Sequence, residues 1–289
     1  MPRPLVAPFR AFRTLLVVSL AFGPIFAASS ARAETFTLAP LPYQPVWCAA
    51  ELDPLTPDVC HIAGTPAPDG RRTLVIFLHG VIAKNTMWQW LQERAIARSA
   101  KLLHFDAIVP QAPRVGPNGA GGFAWPGLRA LHGAESDALV EGWTRARRKL
   151  EQKNGHPFDE VFVVGFSSGA YFATSLALHE KLHVDGYVVL AGGTTSTPSP
   201  NVRPKPVFIG VCANDGASAP QARELGHLLA ARGWPTRVDE QAVGHGVSDV
   251  HMAHALGWLR AQRPQNAPGR HAESPVVDEL GSAATERNP

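Results

Sequence analysis

Residues 163–173, VVGFSSGAYFA, carry an apolar run into a second apolar run through a turn that holds two adjacent serines between glycines. Read as G-x-S-x-G, the turn is Gly165-Phe166-Ser167-Ser168-Gly169, with Ser167 at its centre. That pattern has a steric meaning at a sharp strand-to-helix turn. The central residue occupies a strained backbone conformation, bulky residues two positions either side would collide, and the serine hydroxyl is left exposed at the edge of a sheet. The helix that follows offers free N–H groups that stabilise an anion. Ser167 is therefore a candidate nucleophile. The backbone N–H of Ser168 is a candidate oxyanion donor, and its hydroxyl has no assigned task. Two glycines and a serine within five residues also arise by chance. The decision rests on the flanks, VFVV before and AYFATSLAL after.

Outward from this turn, apolar runs alternate with helix-like segments. Strands are predicted at 73–80, 105–112, 161–166, 184–192, 206–213 and 236–243, most of them near-continuous in Val, Ile, Leu and Phe, as strands covered on both faces are. Helices are predicted at 86–100, 135–154, 168–182, 219–232 and 250–263. This alternation implies an α/β fold with a mostly parallel, doubly covered sheet and crossover helices. Residues 34–263 read as one domain, with 34–70 supplying an edge strand or two. The segment 264–289 is rich in Pro, Gly, Ala, Ser and charge, and is expected to be a flexible tail.

A serine hydroxyl is a weak nucleophile and needs a base, itself oriented by a third group. In a strand–turn–helix setting the parts come in the order serine, acid, histidine, with the acid after a late strand and the histidine after the last one. Asp215 opens the loop NDGASAP, and His245 lies between glycines in GHGVSD. Asp249, at the approach to the last helix, and Asp239, expected to be a surface carboxylate within a strand, are the weaker acids. His227, His251 and His254 all fall within predicted helices. The last two, three residues apart, suggest a metal pair, but no third ligand is evident and a solvated helix face is the expectation. The loop FLHGVIAKN, with His79-Gly80, offers the Val81 N–H as second oxyanion donor, and His79 is expected to be structural.

Charged residues make up 18% of the 289 and the formal net charge is only +3, with no basic stripe, so a nucleic-acid partner is not expected. Residues 1–33 combine Arg3, Arg10 and Arg13, an apolar run broken by Gly23 and Pro24, and Ala31-Arg32-Ala33. These are the parts of a signal peptide, and the run falls short of a membrane span. The mature chain is expected to begin at Glu34, exported to the periplasm or beyond, with no stable membrane anchor. In an oxidising compartment Cys48 and Cys60, flanking a Pro-containing loop, are expected to pair. Cys212 reads as a buried strand thiol, and no Cys/His spacing resembles a zinc site.

With FLHGV, VPQAPRVGPNGAGGFAWPG, GFSSGA, CANDGASAP and VGHGVSD in this order, residues 72–262 resemble the α/β-hydrolase superfamily. Within it the chain is most similar to the phospholipase/carboxylesterase group that includes acyl-protein thioesterases, and also to secreted feruloyl-esterase and polyhydroxyalkanoate-depolymerase relatives. The resemblance implies an α/β-hydrolase fold and cleavage of carboxylic esters, small, lipid or polymeric, with a Ser167–His245–Asp215 triad and no metal or organic cofactor. The group usually carries Gln after the nucleophile, where this chain has Ser168. A peptidase or amidase using the same triad, and a catalytically silent binding protein on the same scaffold, are the alternative functions. Only GTTSTPSPNVRPK separates two strands where many relatives insert a cap, so no cap domain is expected. The glycine-rich loop at 113–127 then becomes a wall of an open site, with Trp125 as the candidate substrate-binding residue. Trp88 and Trp90 in TMWQW are expected in the helix core.

Overall fold

The computed structural model describes residues 47–115, 121–126, 133–194 and 196–262. The proposed signal segment 1–33, the tail 264–289, and part of the glycine-rich loop lie outside the described residues. The chain runs β1 (Asp53–Thr56), β2 (Val59–Ile62), β3 (Thr73–Leu78), α1 (Trp88–Leu103), β4 (Asp106–Pro110), α2 (Ala134–Asn154), β5 (Glu160–Phe166), α3 (Ser168–Leu178), β6 (Gly186–Leu190), β7 (Val207–Cys212), α4 (Ala219–Ala231), β8 (Thr236–Gln241) and α5 (Asp249–Ala261). The order is the one predicted, with ends moved by a few residues.

All eight strands form one sheet, in the order β1-β2-β4-β3-β5-β6-β7-β8. β3 to β8 are parallel, while β2 runs antiparallel to both β1 and β4. The strands from β2 to β7 are buried at every position, which is why they read as continuous apolar runs. Two neighbours on β7 show how both faces are covered. A Cβ on Gly226 of α4 would lie 3.6 Å from Ile209, whereas one on Gly210 itself would lie 3.1 Å from the His251 ring of α5. Successive strand residues point to opposite faces, so α4 and α5 cover opposite sides. The α/β-hydrolase fold follows from this parallel sheet and its crossover helices. No helix interrupts the described residues between β6 and β7.

Strand order reverses at the middle of the sheet. From β3 the chain proceeds to β4 on one side, and then returns past β3 to β5 on the other. Outside the carboxyl ends of adjacent strands at such a reversal, the following loops diverge and leave a crevice. Here those loops begin at His79 after β3 and at Ser167 after β5. The N-terminal hairpin is tied by a Cys48–Cys60 disulfide with its Cα atoms 5.4 Å apart. Among the described residues, no helix is long and apolar enough to cross a membrane.

Candidate active site

β5 delivers Ser167 to the crevice with φ +52° and ψ −116°, a region that residues other than glycine rarely enter. The turn is this sharp because three segments approach within backbone contact. A Cβ on Gly169 would stand 1.9 Å from the Leu78 carbonyl oxygen, and one on Gly165 would stand 2.2 Å from the Gly169 carbonyl oxygen. Both glycines are required by close packing of α3 against β3 and β5. That packing points the Ser167 side chain out over the sheet edge.

His245, in the loop between β8 and α5, places Nε2 2.9 Å from Ser167 Oγ. Its Nδ1 lies 2.5 Å from Asp215 Oδ2, so an Nδ1–H tautomer donates to the carboxylate and leaves Nε2 to accept from the serine hydroxyl. The imidazole is exposed and packs at 4.9 Å between centroids against the Phe166 ring. Asp215 follows β7 and also accepts from the Ser218 hydroxyl and from the backbone N–H groups of Ala217 and Ser218 at 3.2 and 3.3 Å. The Ser218 hydroxyl is the chief cause, with His245 and the two N–H groups adding to it against the opposing effect of burial, that the Asp215 pKa falls to about 2. The carboxylate therefore stays charged beside the ring it orients.

The loop after β3 is clamped from several directions. His79 is buried at 1% exposure and accepts the Ala112 N–H at Nε2, 3.1 Å away. That acceptor role places the ring proton on Nδ1, which donates to the Gly80 carbonyl oxygen at 2.6 Å. Burial pushes the His79 pKa down to about 4, so the ring is neutral at physiological pH. The Gly80 N–H donates to Gln92 Oε1 at 2.5 Å, and Ile82 exchanges two backbone hydrogen bonds with Phe123 at 2.9 Å. The Gly80 carbonyl is thus turned toward the His79 ring, and in a trans peptide the Val81 N–H faces the other way. Neither the Val81 N–H nor the Ser168 N–H has a hydrogen-bond partner among the described residues. A Cβ on Gly80 would come within 3.1 Å of Ser167 Cβ, which puts this loop directly against the serine.

Several expectations are corrected by the packing. Trp125, the candidate substrate-binding residue, is only 6% exposed. It stacks on Phe172 at 5.7 Å and meets Trp143 edge-on, while its Nε1–H donates to the His79 carbonyl oxygen at 2.7 Å. It supports the loop after β3 from beneath instead of facing the crevice. The Ser168 hydroxyl has a structural task, accepting the Trp125 N–H at 3.3 Å. Trp88 is 49% exposed, not in the helix core, while Trp90 is half-buried under the Arg94 guanidinium at 3.8 Å. Of the two α5 histidines only His254 is on a solvated face; His251 is fully buried. Asp239, expected to be a surface carboxylate within a strand, lies in β8 half-buried, pairing with His254 Nδ1 at 3.0 Å and accepting from Gln241. Asp249 is held by Arg98 and Ser99 and stands apart from His245. Among the described residues, no cluster of three or more His, Cys, Asp or Glu side chains could hold a metal ion.

Two contributors were not singled out in the sequence. Ser218 is foreshadowed by the string Asp215-Gly-Ala-Ser218, an acid whose side chain can accept from N–H groups two and three residues on. Gln92 had no sequence signal, because its partner Gly80 lies on a different element.

Residues 65–209 match the family described as Phospholipase/Carboxylesterase. The chain is 27% identical over 136 residues to acyl-protein thioesterase 1 homolog 2 of Dictyostelium discoideum, covering 44% of this chain and 60% of that protein. It is 25% identical over 145 residues to acyl-protein thioesterase 1 of Debaryomyces hansenii, covering 45% of this chain and 61% of that one. The match therefore spans about six-tenths of the length of these curated relatives. Among solved structures, a Bacillus cereus carboxylesterase aligns with a TM-score of 0.49 at 17% identity, over 70% of this chain and 93% of the other.

Proposed function

The chain belongs to the phospholipase/carboxylesterase family, and from that premise we propose that it is a serine hydrolase cleaving carboxylic esters through an acyl-enzyme. The observation that carries this reading is the continuous relay of Ser167 Oγ, His245 and Asp215, at 2.9 and 2.5 Å. Ser167 Oγ attacks the ester carbonyl carbon while His245 Nε2 takes its proton, and the carbonyl π pair moves onto oxygen. The Val81 and Ser168 N–H groups receive that oxyanion. Collapse of the tetrahedral adduct breaks the bond to the leaving oxygen, which takes the proton from His245. Water then repeats the sequence on the acyl-serine and releases the acid. Asp215 keeps the imidazole in its Nδ1–H tautomer and stabilises the imidazolium. The relay needs no metal or organic cofactor.

Ser167→Ala is expected to remove p-nitrophenyl ester hydrolysis by roughly 10⁴-fold or more. Ser168→Ala keeps most of it, because only its backbone enters the chemistry. The reverse pattern would overturn the assignment of the nucleophile. The likeness to acyl-protein thioesterases favours thioesters as a second substrate class. Matched ester, thioester and amide substrates of one acyl group, compared by kcat/KM, rank these and the peptidase alternative.

Export is part of the same proposal. Residues 1–33 act as a signal peptide, and the Cys48–Cys60 disulfide is the feature that fits an oxidising destination.

A further inference from the structure

A depression of about 290 Å³ opens beside His245, between α1 and the loop that carries the imidazole. Trp88, Leu91 and Ala95 form one wall, and Phe166 and Val247 form the other. Trp88, Leu91 and Ala95 follow the i, i+3, i+7 spacing of one helix face. The buried residues Gln92, Glu93, Ile96, Ser99 and Ala100 form the adjoining core-facing side of α1, and Gln92, at the boundary, also lines the depression. Trp88 is 49% exposed and Leu91 54% exposed, so this ridge keeps large apolar area in water. Among the described residues, the lining carries no carboxylate, ammonium or guanidinium group.

The path of the proton decides which part of an ester this depression takes. His245 Nε2 receives the Ser167 proton and must deliver it to the leaving oxygen. The leaving group therefore lies on the His245 side of the tetrahedral carbon. The oxyanion points to the amide donors, and the acyl chain occupies the remaining direction, away from the imidazole. We propose that the apolar depression between α1 and residues 245–247 is the leaving-group subsite, and that the preferred substrates are esters of apolar aliphatic or aromatic alcohols. This rests on the serine-hydrolase reading above. Trp88 and Leu91 are its specificity residues, and they act on the acylation half of the cycle alone, because the alcohol has departed before water attacks.

Two ester series test this with the full chain. One holds the acyl group as acetyl and lengthens the alcohol from methyl to hexyl, with benzyl added. The other holds ethanol and lengthens the acyl group. In the parent protein kcat/KM is expected to rise roughly tenfold or more along the alcohol series, since each buried methylene contributes to discrimination. Trp88→Ala and Leu91→Ala flatten that rise and leave the slope of the acyl series as it was. Leu102→Ala, on the exposed last turn of α1, keeps both parental slopes. All three sites are exposed, and urea melts verify that each variant is folded. Variants that flatten the acyl series instead, or that change neither slope, overturn the subsite. Fluorophosphonate labelling of Ser167 separates the two levels. A labelled enzyme with the wrong slopes overturns only the subsite, whereas folded parent protein that neither labels nor turns over overturns the hydrolase reading and the subsite with it.

Discussion

Asp215 shows how a single side chain is prepared for its task. Its carboxylate collects four donors from Ala217, Ser218 and His245, and the Ser218 hydroxyl contributes most to the fall of its pKa from 3.8 to about 2. Because the folded-state value is depressed, the carboxylate's contribution to stability is complete above the ordinary carboxylate range and is lost as pH falls toward about 2. Asp215 therefore stays charged at mildly acid pH, and its protonation is not the cause of any loss of activity there. Ser218→Ala is expected to lower kcat/KM by roughly three- to tenfold, the net value of about one ordinary hydrogen bond, since three other donors still hold the carboxylate. It also raises the folded-state pKa toward 3.8, so the fall in urea midpoint on acidification is smaller than in the parent. Steady-state rates at pH 8, with urea midpoints measured from pH 5 down to 2.5, check both. Asp215 and His245 could be selected from the sequence because each falls just past a strand of the sheet. Ser218's role could not be, because it depends on the rotation of one hydroxyl toward one carboxylate oxygen.

At the scale of elements, α3 has nine of its eleven residues buried and presses its first turn onto the end of β3. Gly169→Ala would drive a methyl group into the Leu78 carbonyl, a backbone atom that cannot rotate away. Activity is expected to fall by at least roughly 10²-fold, because a misplacement of about 1 Å at the nucleophile is enough for that loss. A lower urea midpoint accompanies it. Parental kcat/KM in folded Gly169→Ala protein would show that the close approach is dispensable. The strand and helix order was legible because buried parallel strands and crossover helices write opposite periodicities into the chain. The two tryptophans of TMWQW were not separable in this way. Trp88 begins α1 and faces the crevice, while Trp90 turns under Arg94, and only the angular position of α1 on the sheet distinguishes them. The same holds for His251, whose burial depends on α5 lying over Gly210.

For the whole molecule, the edge beside β1 and β2 matters to a site formed at the centre of the sheet. Trp47 precedes the disulfide, donates its Nε1–H to the Val109 carbonyl oxygen at 2.9 Å and packs against the His79 ring at 5.2 Å. The Ala49 N–H donates to the buried Glu93 carboxyl at 3.0 Å, and burial pushes that group's pKa up to about 7. The cystine thus secures the segment that supports the loop after β3 from behind. Its sequence separation of 12 leads to an expected stabilisation of roughly 3 kcal/mol, which reductant should remove from the urea melt. The export proposal is checked on the same sample. Intact-mass analysis of protein secreted by a bacterial host is expected to show a chain beginning at Glu34. After denaturation without reductant, Cys212 alone should be alkylated. A retained residue 1, or three alkylated thiols, would count against it.

The sequence by itself determined the alternation of buried strands and helices, the sharp glycine-bracketed turn at Ser167, and the loops in which an acid and a histidine follow their strands. These are set by periodicity and by local sterics, which act over a few residues. Tertiary structure decided that His245 reaches both Ser167 and Asp215, that Trp125 lies beneath the loop after β3, and that Trp88 and Leu91 border an open apolar depression. Each of these depends on distances between elements far apart in the chain, which are fixed only when both faces of one sheet are packed.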